Sequence, residues 1–196
     1  MKTARKALML ILCAALLVSA TVMGTLAYLT YKTDVVTNTF TVGNVTISLD
    51  ETDVDLYGVK DGDTRVKGNQ YKLIPGHTYV KDPIVHVTAG SEKCWLFVKV
   101  VDEIAAIQDA TKVADQMKAK GWTAVTGTEG VYAYANIVDA SAAARDVAVF
   151  DNFKVLGTAD VAAYANKTIT VQAYAVQADG FTTAAEAWAA APATWD

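Results

Sequence analysis

Apolar and polar residues alternate with period two along much of this chain, and a helical period appears only in short stretches. Over residues 40–50 (FTVGNVTISLD), Val45, Ile47 and Leu49 fall on one face and Thr46, Ser48 and Asp50 on the other, which predicts a half-buried strand. Residues 78–88 predict another strand, interrupted by Pro83; a proline inside a strand argues for a sheet edge or a bulge. Residues 94–101 (CWLFVKVV) are apolar on both faces and predict a central strand covered on both sides. Further strands are predicted at 122–126, 131–138, 145–155 and 167–177. Spacings of three and four among Ile104, Ile107, Ala110, Ala114 and Met117, with Gly121 as a stop, predict one helix packed on an end or face of the strands. A short helix is predicted at 159–164 and a last one near 183–190, where Thr183 and Glu186 form a capping box and Pro192 lies just past the end. Residues 51–70 are dominated by Asp and Gly and read as a loop, and Pro75-Gly76 marks a turn. Seven or eight strands with two or three short helical insertions predict a mainly β, antiparallel sandwich in one mature domain.

The N-terminus breaks this pattern. Lys2, Arg5 and Lys6 precede an uncharged apolar run over 7–18 (ALMLILCAALLV), followed by small residues, which is the layout of a secretory signal peptide. Small-x-small cleavage sites end at Ala20 and at Ala27, and this rule does not choose between them. The uncharged stretch 7–29 also has the length of an uncleaved anchor, with the basic residues holding the N-terminus inside. Residues 28–39 are rich in Thr and read as an arm or an edge strand. The predicted organisation is therefore signal peptide 1–27, arm 28–39 and sandwich 40–196.

Composition narrows the function classes. Hydrophobic residues make up 53% and charged residues 19%, a globular balance. The net charge is −4 and three of the positive charges lie in the signal segment, so no basic stripe remains for a nucleic acid. Of the two cysteines, Cys13 lies in the signal run, and Cys94 is left alone in an apolar strand, where a buried small residue is the default reading.

At Gly24-Thr25-Leu26-Ala27-Tyr28 the sequence resembles the export signal of the TasA/camelysin family, exported proteins of Gram-positive bacteria that are processed by a dedicated signal peptidase. Asn38-Thr39-Phe40 through Val45, Ile74-Pro75-Gly76 with Lys81-Asp82-Pro83, and Ala173 through Gln177 with Ala185-Glu186-Ala187-Trp188 are similar to further short patterns of that family. The resemblance implies cleavage after Ala27, with Thr25 in the recognition stretch and Tyr28 as the new N-terminus. It implies a jelly-roll β-sandwich at the cell surface or in the biofilm matrix. It also implies self-association into fibres, or assembly with a related matrix protein, by donation of the N-terminal arm to the sheet of a neighbour. Tyr28, Leu29, Val35 and Val36 are the candidate donor residues, set against the plainer reading of 28–39 as a first strand. Membrane contact is expected only through the uncleaved signal segment.

Some members of the family are labelled metalloproteases, but His77 and His86 are nine apart and no His-Glu-x-x-His is present, so no metal or catalytic residue is assigned. Asp53-Val54-Asp55 and Asp61-Gly62-Asp63 offer oxygen ligands, and calcium stands as the alternative to a solvated turn, without the EF-hand spacing. No Gly-x-Ser-x-Gly and no phosphate-cradling loop occur. A secreted monomeric adhesin or carbohydrate-binding module, using some of the 4 Trp and 9 Tyr, is the alternative to a fibre subunit.

Overall fold

The computed structural model describes residues 2–26, 43–109 and 111–195. The chain divides into two units, Met1–Thr41 and Val42–Asp196. In the first unit, helix α1 (Lys2–Leu26) takes in the apolar run, and Leu8, Leu10 and Ile11 along it are exposed.

The second unit is mainly β. Its ten described strands are β1 (Ile47–Val54), β2 (Lys60–Val66), β3 (Thr78–Val80), β4 (Ile84–Val87), β5 (Cys94–Asp102), β6 (Trp122–Ala124), β7 (Val131–Tyr134), β8 (Arg145–Ala148), β9 (Asn152–Lys154) and β10 (Ile169–Gln177). They form two four-stranded antiparallel sheets, ordered β2-β1-β4-β8 and β10-β5-β7-β6, and a small β3-β9 pair. The sheets face each other across one core. Val85 and Val87 of β4 enter it from one side, and Leu96 and Val98 of β5 from the other. Trp122 is buried on β6, and its indole N–H donates to Ala148 O at 2.9 Å, tying an edge strand of one sheet to an edge strand of the other.

Strand β5 is central, as its two apolar faces predict. Its other face carries Trp95 and Phe97, which are covered by helix α3 (Ala184–Ala190) through Ala187 and Trp188. The capping box at the start of α3 is formed: Thr183 Oγ1 accepts the Glu186 N–H at 3.2 Å, and Glu186 accepts the Thr183 N–H in return.

Four sequence expectations are corrected. Residues 51–70 are not one loop, because β1 continues to Val54 and β2 pairs with it. The turn between them is an Asp-closed one, in which Asp55 Oδ1 accepts the N–H of Tyr57 and of Val59, both at 2.9 Å. Most of β2 is exposed, so it shows no apolar alternation. Pro83 separates β3 from β4, and the strand after it is internal rather than an edge. The helix predicted from Ile104 onward divides into a 3₁₀ turn (Ala105–Ile107) and helix α2 (Val113–Ala119). The intervening backbone pairs with β9 and the residues after it instead: Asp109 N–H donates to Lys154 O and Leu156 N–H to Ile107 O. Finally, 145–155 is two strands, because Val149 N–H turns to Pro83 O and carries the chain from the first sheet into the β3-β9 pair.

Candidate functional site

The sandwich is tied on the side of Trp122, and on the opposite side the described residues leave a groove. There β1 lies against β10, and a groove of about 1240 Å³ runs between them, lined by Ile47, Leu49, Ile169, Val171 and Ala173. The backbone gives this groove its character. In an antiparallel ladder, alternate residues bond to one neighbour and the residues between them point the other way. Glu103 N–H bonds to Thr168 O, and Thr168 is followed by a regular register with β5. The even residues of β10 therefore face β5, and Ile169, Val171, Ala173 and Ala175 present their N–H and C=O groups to the edge. On β1, Thr88 N–H bonds to Thr46 O, so the pairing of Thr46 and Ser48 turns toward β4 and that of Ile47 and Leu49 away from it. Strand β2 meets β1 only from Glu51 onward, so it does not cover those two residues. The groove thus combines apolar side chains with two outward-facing backbone edges.

Its floor is polar at one end. Glu51 and Lys81, each less than a tenth exposed, form an ion pair at 2.6 Å. Asn69 donates to the other oxygen of Glu51 at 2.9 Å and to Thr52 O at 2.8 Å, and accepts the Val54 N–H at 3.1 Å. Tyr71 stands beside them, edge-on to Tyr79 and Phe153. Burial, reinforced by the charge of Glu51, pushes its phenol well above the usual range, so it stays protonated.

A second cluster covers the outer face of the first sheet. Arg65 on β2 bonds to Asp50 and to Asp82. His86 on β4 is bridged by two carboxylates, Asp50 at 2.9 Å on Nε2 and Asp146 at 2.7 Å on Nδ1. His77 lies elsewhere, bonded through Nε2 to Tyr57 O at 2.8 Å. The two histidines therefore serve different strands and do not converge. In the acidic hairpin, Asp53 accepts from Thr64, Asp55 closes the turn and Asp63 pairs with Lys60. Among the described residues no group of three or more His, Cys, Asp or Glu side chains is arranged to hold a metal ion. Cys94 is fully buried, and that burial pushes its thiol up to about 11.

Of the residues singled out in the sequence, Thr25 lies in α1, and Ala27, Tyr28, Leu29, Val35 and Val36 lie outside the described residues. The groove itself was not anticipated from the sequence, and neither were Glu51, Asn69 and Lys81 as a cluster. No family model, no curated protein and no solved structure matches this chain.

Proposed function

We propose that this is an exported structural protein, a non-catalytic subunit of surface or biofilm-matrix fibres that assembles by strand donation. The observation that carries this reading is the groove between β1 and β10, where two outward-facing backbone edges flank an apolar floor. An extended segment laid there can pair with the β10 edge through main-chain hydrogen bonds and bury alternate side chains against the apolar residues of the groove. Residues 28–39 suit that place. Leu29, Tyr31, Thr33 and Val35 share one parity, and Tyr28, Thr30, Lys32, Asp34 and Val36 the other, so the first carries no charge. Residues 44–46 precede β1 and pair with the segment after β4, with Thr88 N–H on Thr46 O and Glu92 N–H on Asn44 O. Head-to-tail donation of this kind does not close, and it propagates a filament. The basic residues and apolar run support export, and the resemblance of Gly24-Thr25-Leu26-Ala27-Tyr28 to the TasA/camelysin export signal is what suggests a dedicated signal peptidase.

The test is negative-stain electron microscopy of protein beginning at Tyr28, beside the same protein lacking residues 28–39. Filaments are expected from the first and folded monomers from the second. Folded monomers from both would remove the fibre reading and move attention to the adhesin alternative.

A further inference from the structure

The polar end of the groove brings together an amine, a primary carboxamide and a carboxyl group that touches both. Glu51 holds Lys81 Nζ on one oxygen at 2.6 Å and Asn69 Nδ2 on the other at 2.9 Å. The amine and the amide nitrogen are thus positioned by opposite oxygens of a single side chain. Lys81 is 8% exposed and Glu51 5% exposed, so little water competes for either. Asn69 Oδ1 accepts the Val54 N–H at 3.1 Å, a donor sited where negative charge develops if the carboxamide carbon is attacked. The Tyr71, Tyr79 and Phe153 rings pack on one another beside the cluster. A buried lysine–glutamate pair alone needs no explanation beyond charge pairing. The carboxamide on the second oxygen of that glutamate adds a reaction partner, and its carbonyl is already hydrogen-bonded.

We propose that Lys81 and Asn69 become joined by an intramolecular isopeptide bond, with Glu51 as the proton carrier. Lys81 passes one proton to Glu51 and its amine attacks Asn69 Cγ. The carbonyl oxygen takes the negative charge beside the Val54 N–H. Glu51 delivers its proton to Nδ2, the Cγ–Nδ2 bond breaks as the carbonyl re-forms, and the new amide nitrogen gives its surplus proton back to Glu51. The Nζ–Cγ bond has formed, ammonia has left, and it carries away the last proton as ammonium. No oxidant, cofactor or second enzyme enters the balance. The bond closes the segment from Asn69 to Lys81, which forms one wall of the groove, and it stands independently of strand donation.

The experiment is intact-mass and fragment mass spectrometry of the folded full chain, compared with the mass calculated for whichever N-terminus the same spectrum assigns. The expected result is a deficit of one ammonia, about 17 Da, with residues 69 and 81 found in one branched fragment. Glu51→Gln and Lys81→Arg are expected to restore the calculated mass. Asn69→Asp is expected still to cross-link, losing water, about 18 Da. A folded wild-type chain at its calculated mass overturns the proposal. So does a deficit that survives in Lys81→Arg, because it marks ring closure at Asn69 onto its own backbone. Circular dichroism establishes that each variant is folded; where one is not, the branched fragment in the wild-type chain decides.

Discussion

At the scale of single residues, His86 is the group whose charge state does most to the outer face of the first sheet. Burial works against the charged imidazolium, but hydrogen bonds and charge from Asp50 and then Asp146 outweigh it, so its pKa is raised. Both ring nitrogens meet carboxylates, and only the doubly protonated ring donates to both. A raised folded pKa contributes stability that is complete below the unfolded value, about 6.5, and is lost as pH rises through the folded value. The other charged groups on this face are Arg65, Asp50, Asp82 and Asp146, with Arg145 nearby on β8. Asp50 carries the opposite dependence. Its burial opposes ionisation, but the hydrogen bonds of Arg65 and His86 prevail and its pKa is lowered, so its share is lost in acid. The unfolding free energy measured in urea is therefore expected to fall from pH 6 to pH 8, a window below the range in which the Cys94 thiol titrates, by an amount on the order of 1 kcal/mol. In His86→Asn that slope is expected to flatten. An equal slope in both proteins would show that His86 is not its source.

At the scale of elements, β10 is the outermost described strand of its sheet, and its odd residues turn their backbone toward the groove. Proline at such a position removes an edge N–H without breaking the ladder to β5. Ala173→Pro is therefore expected to keep the fold, with a melting temperature within a few degrees of the parent protein, and to abolish filaments under the microscope. Filaments from a folded Ala173→Pro protein would sink the assignment of β10 as the accepting edge. How much of this was legible beforehand depends on the environment of each strand. Val45, Ile47 and Leu49 and the run around β5 announce themselves because one or both faces are buried, and α3 because its caps are local. Strand β2 does not, because exposed strands carry no alternation and its Asp and Gly residues signal turns. The paired cluster had a faint signal. Glu51 continues the inward parity of Ile47 and Leu49, and Lys81 shares the parity of Tyr79, Val85 and Val87, all of them buried. Lys81 lies in the strand predicted at 78–88, but Glu51 falls just past the strand predicted to end at Asp50, so the pair of opposite charges at inward positions emerges only because β1 runs on to Val54. Asn69 lies outside any strand, and only the tertiary fold brings it to them.

At the scale of the molecule, the sandwich is asymmetric in how it closes. Trp122 bonds across the sheets to Ala148 on one side, while on the other β1 and β10 leave a groove into the core. A domain that needs one more strand is expected to be stabilised by receiving it, because a ligand that binds only the folded state shifts unfolding by mass action. This separates strand acceptance from polymerisation, since it can be read on a monomer. The protein lacking residues 28–39 is expected to melt higher when a synthetic peptide of that sequence is added. At a hundredfold excess over Kd the gain is about 2.7 kcal/mol, or roughly 5–10 °C for a domain of this size. The Ala173→Pro version of the same armless domain is expected to show little of that shift, because the edge it removes is the one the peptide would use. A scrambled peptide controls for non-specific binding. A melting temperature that the native peptide leaves unmoved, or that the scrambled peptide raises as much, would mean that the groove does not take this arm.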